Sequence, residues 1–284
     1  MVRTLRSIEE EARVHRVSGP GLDAFLADEA AREALEGETL AQVLAWAKDG
    51  ARRALVVGLE DRGRIALELL KADVFVTVVE PDEARLKALQ ALADDAKCGI
   101  RLNGYASDYM KREFASGGFD LAIFFSAMGQ YNEPVVLLKK AARELRAGGR
   151  VFVRIRVRPS TAAVTQLLNR IPKADKVLPK ASELLARVPG VASFLALPDA
   201  DALVQEAGEV FKIEKVERYH VLAPLVGWLS ASRPGTIGQL AAKALPAVLK
   251  ADAALLKSKA GKPLASYLAF YGSKELQLGK TFRL

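Results

Sequence analysis

Two glycines and one carboxylate have the spacing of a nucleotide site. Gly58 and Gly63 flank the turn GLEDRG, which follows an apolar run, and Glu80 ends the next apolar run about twenty residues later. Gly58 permits a tight turn, while Gly63 stands where a helix begins and backbone N–H groups lack intrahelical partners. A carboxylate at this separation can accept hydrogen bonds from the two hydroxyls of a ribose. The spacing therefore predicts nucleotide binding.

These residues are positioned by a βαβ pattern between Arg53 and Val157. Short apolar runs rich in Val, Ile and Phe alternate with segments whose apolar residues recur at helical spacing. Continuously apolar strands of this kind are typical of a parallel sheet that is buried on both faces. Ligands of doubly wound sheets bind at the carboxyl ends of the strands, which is where Gly58 and Glu80 stand.

The chain resembles the class I S-adenosylmethionine-dependent methyltransferases over about residues 41–157 and again from residue 199. The matching marks are the glycine turn, Glu80, Asp108 after the third strand, Phe119-Asp120 opening the fourth, and ELRAGGRVFV leading into the fifth. The resemblance implies an α/β, Rossmann-like doubly wound fold with helices on both faces of a seven-stranded, mostly parallel sheet. Its last strand is expected to be antiparallel, and the implied cofactor is S-adenosylmethionine.

The resemblance also assigns roles to individual residues. Glu80 would hold the ribose, Asp108 would accept from the adenine amino group, and Tyr109 would pack on the adenine ring. The backbone of the GLEDRG turn would cradle the methionine end of the cofactor. The predicted cofactor-binding residues are Gly58, Leu59, Glu60, Gly63, Glu80, Pro81, Asp108, Tyr109 and Ser126. The alternative role for Asp108 is to cap the short helix that follows it.

The glycine turn departs from the family pattern. Val56 occupies a position that is usually acidic in the family, and Glu60 and Asp61 stand between the only two glycines of the turn. Their carboxylates would repel the carboxylate of the cofactor's methionine part. If Asp61 caps the next helix and Glu60 faces solvent, the backbone cradle is intact. The other interpretation is a family member that has lost the cofactor.

The loop after the fourth strand is where the resemblance places the chemistry. Many small-molecule methyltransferases carry one or two histidines here, whereas this chain has Gly129 and Gln130. Gln130 and Tyr131 can orient a substrate but are weak bases at neutral pH. Methyl transfer needs mainly an in-line approach of the nucleophile, so positioning can suffice. Together with His220, at the start of a later insertion, they form the predicted catalytic set.

The sequence predicts an N-terminal helical cap over residues 1–50 and an α/β domain over residues 51–284, with helical insertions at 158–198 and 222–263. Within the cap, one helix is expected before Gly37, and Thr39 is expected to cap a further helix that runs up to Gly50. Between the insertions we expect a helix that stops at Gly208 and then a strand.

The second insertion contains TIGQLAAKALPAVLKADAALLKSK, with Leu and Ala on one side and Lys on the other. This pattern suits peripheral contact with a membrane surface, a partner helix, or simple packing on the domain.

Composition limits the remaining function classes. The 284 residues include one cysteine and two histidines, so no intrachain disulfide and no metal site are expected. No apolar run is long enough to span a membrane and the N-terminus lacks a secretory signal, so a cytoplasmic location is expected. The formal charge of +8 comes without an RNA-binding motif, which disfavours nucleic acid as a partner. Nothing in the sequence specifies an oligomeric state.

Three functions remain open at this point. The first is an S-adenosylmethionine-dependent methyltransferase that acts on a small or lipid-like molecule. The second is a catalytically inactive methyltransferase-like binding or assembly protein, which the altered turn and the missing histidines favour. The third is RNA methylation, which only the positive charge suggests.

Overall fold

A central β-sheet organises the structure, a computed structural model that describes residues 29–59, 63–125, 134–157, 198–223, 226, 235–258 and 261–275. The strands are β1 Arg53–Val57, β2 Phe75–Val79, β3 Leu102–Tyr105, β4 Phe119–Phe125, β5 Leu145–Arg156, β6 Lys212–Tyr219 and β7 Tyr267–Ser273. The helices are α1 Glu29–Lys48, α2 Arg64–Lys71, α3 Glu83–Asp95, α4 Pro134–Glu144, α5 Ala200–Gly208 and α6 Thr236–Lys257.

The seven strands lie in the order β3-β2-β1-β4-β5-β7-β6. Strands β1 to β5 pair in parallel, while β7 runs antiparallel to both β5 and β6. The predicted Rossmann-like sheet, including its antiparallel last strand, is therefore confirmed. Because Val57 pairs with Val79, the carboxyl ends of β1 and β2 lie side by side. This register brings Gly58 and Glu80 to the same point of the sheet edge.

Helices cover both faces of the sheet, which accounts for the continuously apolar strands. On one face, α4 and α5 bury Leu137, Leu138 and Leu203 against alternate residues of β1, β4 and β5. On the other face, α1, α2 and α3 bury side chains such as Trp46 and Leu69 against the remaining strand residues. The helix stop at Gly208 and the strand that follows it were both predicted from the sequence and are confirmed.

Two sequence motifs lie at the amino end of the sheet, Phe119-Asp120 and AGGR, and the structure explains both. Asp120 accepts hydrogen bonds from the backbone N–H groups of Arg52 at 2.7 Å and Arg53 at 2.8 Å, and it pairs with Arg146. It thereby ties β4 to the start of β1 and to β5. Gly148 has a φ of 71°, so the AGGR turn needs glycine there.

The first helix differs from the sequence prediction. Helix α1 runs without interruption from Glu29 to Lys48, so it neither ends before Gly37 nor restarts at Thr39. Thr39 is fully buried within the helix, and its hydroxyl lies 3.5 Å from the hydroxyl of Tyr271. The expected cap at Thr39 is therefore wrong, because packing against the sheet stabilises a helix that local propensity alone would interrupt. Among the described helices, none is long and apolar enough to cross a membrane.

Removing the charge of Asp120 should destabilise the fold in a pH-dependent way. Burial acts to raise the pKa of Asp120, but the N–H groups of Arg52 and Arg53 and the guanidinium of Arg146 lower it below its usual value. A lowered pKa in the folded state contributes stability above the unfolded pKa of about 3.9, and that stability is lost as the pH falls through the folded value.

We expect Asp120→Asn to lower the free energy of unfolding by about 1–3 kcal/mol at pH 7 and by less at acidic pH. Urea unfolding across this pH range measures the effect. Asp95→Asn, at an exposed position, serves as the control. A deficit in Asp120→Asn that stays constant from pH 7 to strongly acidic pH would contradict the ionic role.

Candidate cofactor site

Glu80 connects the loops at the carboxyl ends of β1, β2 and β3. Its Oε2 accepts from the backbone N–H of Leu59 at 2.7 Å, and its Oε1 accepts from the N–H of Asp82 at 2.9 Å. Its own backbone N–H donates to the carbonyl of Tyr105 at 3.1 Å. The residue is 5% exposed. A carboxylate offers about four acceptor positions, so two remain beyond these backbone contacts.

The glycine turn adopts the conformations that its glycines allow. Gly58 has a φ of 86° and Gly63 a φ of 79°, both in the left-handed region that disfavours other residues. Gly63 also precedes α2 directly, and a Cβ there would meet Leu89 Cδ1 at 2.9 Å. The N–H of Gly58 donates to the carbonyl of Val79 at 3.0 Å. Val56, which stands where the family usually has an acid, is fully buried in the core.

Asp108 caps the short helical turn Tyr109–Lys111, as the alternative reading of the sequence proposed. Its Oδ1 accepts from the N–H of Met110 at 2.8 Å, and its backbone is extended. This contact occupies one carboxylate oxygen and fixes the residue beyond the end of β3. The adenine role of Asp108 stays a prediction that capping does not exclude, since a carboxylate can accept several hydrogen bonds.

Tyr109 belongs to a buried polar network that the sequence analysis missed. The ring is 1% exposed, and its hydroxyl donates to Glu144 Oε2 at 2.6 Å. Lys140 Nζ donates to Glu144 Oε1 at 2.6 Å and lies 5.0 Å from the centre of the Tyr109 ring. The available signal was the i,i+4 spacing of Lys140 and Glu144, with Lys140 between the buried Leu137 and Ala141. The predicted contact of Tyr109 with adenine remains a prediction.

His220 lies at the carboxyl end of β6, four strands away from β1 in the sheet. It is buried, has a φ of 52°, and its ring packs edge-on against Tyr267. Its Nδ1 is 3.8 Å from Oδ2 of Asp252, which belongs to α6. Because β6 runs parallel to β1, His220 stands at the same edge of the sheet as Gly58 and Glu80.

Asp252 fastens α6 to this edge of the sheet. It accepts from the backbone N–H groups of Leu222 at 2.8 Å and Ala223 at 3.0 Å. Burial acts to raise the pKa of Asp252, but the nearby His220 imidazole and the hydrogen bonds from these amides lower it below its usual value. The carboxylate is therefore ionised at neutral pH and stabilises the loop that follows β6.

Several predicted site residues lie outside the described residues: Glu60, Ser126, Gln130 and Tyr131. Of the others, the structure brings Gly58, Leu59, Gly63 and Glu80 together around one turn, with the exposed Pro81 directly after Glu80. Asp108 and Tyr109 follow the neighbouring strand end, because β3 pairs with β2. At this edge of the sheet, the carboxylates of Glu80 and Asp108 follow neighbouring strands. Gly58 and Gly63 flank the adjacent turn and have no side chains to obstruct a ligand.

These hydrogen-bonding groups suit a ligand that consists of a nucleoside attached to a polar chain. Glu80 supplies acceptor positions for ribose hydroxyls, and the glycines let a ligand approach the backbone before α2. The comparisons with known proteins agree: residues 55–153 match the family model described as a methyltransferase domain. Over these residues the chain has the sequence pattern of a methyltransferase domain, and its fold is that of solved methyltransferases. Its glycine turn is a degenerate form of the family motif.

Solved structures share the fold at low sequence identity. A putative sarcosine dimethylglycine methyltransferase from Galdieria sulphuraria is 14% identical with a TM-score of 0.55, covering 94% of this chain and 96% of that one. The geranyl diphosphate C-methyltransferase from Streptomyces coelicolor is 12% identical with a TM-score of 0.53, covering 93% and 91%. A putative methyltransferase from Bacillus halodurans is 16% identical with a TM-score of 0.52, covering 84% and 99%. Among curated proteins, none matches this sequence.

Substituting Gly63 should strain the turn that leads into α2. Gly63→Ala places a Cβ against Leu89 and forces a left-handed backbone on alanine, so we expect a loss of about 1–2 kcal/mol in the free energy of unfolding. Gly208→Ala is the matched control, because a Cβ there meets nothing within 4 Å. Urea unfolding of both variants measures the difference. Equal stability of Gly63→Ala and the native chain would show that the turn conformation is not enforced.

Proposed function

We propose that this protein is an S-adenosylmethionine-dependent methyltransferase that acts on a small or lipid-like molecule. The observation that carries the proposal is the position of the Glu80 carboxylate, between the turn after β1 and the start of α3. The match of residues 55–153 to a methyltransferase domain and the Rossmann-like sheet support it. The cofactor, when bound, supplies an electrophilic methyl group on its sulfonium.

The residues of this chain would hold and orient the cofactor. Glu80 would accept from the ribose hydroxyls with the acceptor positions that Leu59 and Asp82 leave, and both backbone N–H contacts fix the direction of the carboxylate. Asp108 would accept from the adenine amino group at the end of β3. The glycine turn and the first turn of α2 would face the methionine end with backbone N–H groups.

The residues that would contact the methyl acceptor are proposed from their chemistry alone. Gln130 and Tyr131 would orient the methyl acceptor. His220, at the same edge of the sheet but four strands away from β1, would act as a general base. With its Nδ1 facing Asp252, the imidazole of His220 is held in one orientation, as a general base requires. The similar structures include a geranyl diphosphate C-methyltransferase and a putative sarcosine dimethylglycine methyltransferase, which supports a small or lipid-like methyl acceptor for this chain.

A second candidate function is a catalytically inactive binding or assembly protein. Two observations favour it: the Glu80 carboxylate is 5% exposed while it satisfies backbone amides, and Tyr109 is buried with its hydroxyl on Glu144. In that case Glu80 would have a purely structural role, joining the loops after β1 and β2. Cofactor binding separates the two functions directly.

We expect S-adenosylhomocysteine to bind the purified protein with a micromolar Kd, corresponding to about −8 kcal/mol. Glu80→Ala should weaken binding by at least about tenfold, because the ribose loses its acceptors and the turn loses its anchor. Glu83→Ala is the matched control, since Glu83 is an exposed carboxylate on the first turn of α3. Isothermal titration calorimetry measures all three proteins.

The outcomes of this titration divide the two candidates. Binding that is lost in Glu80→Ala and kept in Glu83→Ala supports the methyltransferase and justifies a screen of acceptors. No heat with the native protein, after any co-purified ligand has been removed, favours the inactive binding protein. Equal binding by both variants would overturn the role of Glu80.

A further inference from the structure

Helix α6 presents a basic surface that the proposed methyl transfer does not use. Lys243, Lys250 and Lys257 are all exposed and recur every seven residues, so they form a row along one side of the helix. Consecutive members of this lysine row are separated by about 10 Å along the helix axis. None of the three forms an ion pair with any residue in the part of the chain that the structure describes.

The orientation of α6 is fixed by its opposite side. Leu245 and Asp252 are buried, and Val248 and Leu249 pack against a small cluster beneath the helix that includes Ala223 and Tyr267. Asp252 is bound to the amides of the loop after β6. Lys243 and Lys250 lie about 180° around the helix from Asp252, because each residue turns the helix by about 100°. The inner contacts therefore hold the lysine row outward.

The charge of this segment is strongly one-sided. Residues 222–263 contain the basic residues Arg233, Lys243, Lys250, Lys257, Lys259 and Lys262 but a single acidic residue, Asp252. That one carboxylate is 1% exposed and is used internally, so it does not offset the lysines at the surface. By contrast, Lys71 and Lys87, on α2 and α3, pair with neighbouring glutamates. An anionic partner is therefore expected on the outer side of α6.

We propose that the outer side of α6 binds the surface of an anionic phospholipid bilayer. The lysine row would contact lipid phosphates, while Leu240, which is 62% exposed and lies about 60° around the helix from Lys243, would rest among the headgroups. Between the lysines the helix carries mainly alanine and leucine, and it contains no arginine and no aromatic residue, the side chains that stack on and read nucleic-acid bases. Charge and apolar exposure together favour lipid over nucleic acid.

The location of α6 gives this contact a consequence for the site. The segment leaves the sheet at the carboxyl end of β6, the edge that also carries Gly58 and Glu80. A protein bound through α6 would hold that edge near the membrane, where lipid-like molecules are concentrated. The binding itself does not depend on the proposed methyl transfer and needs no cofactor.

The test is flotation of the purified protein with vesicles made of equal parts phosphatidylcholine and phosphatidylglycerol. We expect the native protein to bind these vesicles, to bind pure phosphatidylcholine vesicles much less, and to dissociate at high salt. The triple variant K243Q/K250Q/K257Q should lose at least about tenfold in its partition coefficient. The control K71Q/K87Q/K139Q removes the same charge from exposed positions on α2, α3 and α4 and should bind almost as the native protein does.

Circular dichroism and thermal unfolding verify that both triple variants fold. Equal loss of binding in both triple variants would overturn the proposal, because net charge rather than α6 would then be responsible. Equal binding to neutral and anionic vesicles would overturn it as well. Binding of the native protein to polyuridylic acid but not to vesicles would assign the lysine row to nucleic acid instead.

Discussion

The carboxylate of Glu80 is the contact on which the candidate site depends. It joins the backbone of Leu59, after β1, to the backbone of Asp82, before α3, while its own amide binds the end of β3. Three loops at one sheet edge are thereby held at fixed distances by one buried residue. The same contacts can serve structure and ligand binding at once.

The site departs from the family pattern at Val56, a position that packs in the hydrophobic core. With Val56 buried in the core, the strand before the turn contributes no acid, and the amide of Leu59 is bound by Glu80 from the neighbouring strand. The positive φ values of Gly58 and Gly63 preserve a turn with two glycines. On the opposite side of the sheet edge, Asp252 and His220 form a second buried contact that holds α6 in place. One edge of the sheet thus carries both the cofactor turn and the anchored helix.

The sheet could be predicted from sequence because its signals are local and redundant. Apolar runs predicted the strands. The Phe119-Asp120 motif corresponds to the contact of Asp120 with the start of β1, and AGGR corresponds to a turn that needs glycine at Gly148. The uninterrupted α1 was not predicted, since Gly37 and Thr39 are poor helix residues and the contact of Thr39 with the sheet is not visible in the local sequence. The burial of Lys140, Glu144 and Tyr109 together depends on contacts between residues distant in the chain, which no local pattern reports. The anchoring of α6 by Asp252 was hidden for the same reason.

A crystal structure of the protein with S-adenosylhomocysteine would test the central claim most directly. The account predicts ligand density at the carboxyl ends of β1 and β2, with both ribose hydroxyls at about 2.6–2.8 Å from the carboxylate of Glu80. The contacts of Glu80 with Leu59 and Asp82 should persist in that complex. Density for the nucleoside elsewhere, or a ribose that does not touch Glu80, would contradict the account and leave Glu80 with a structural role only.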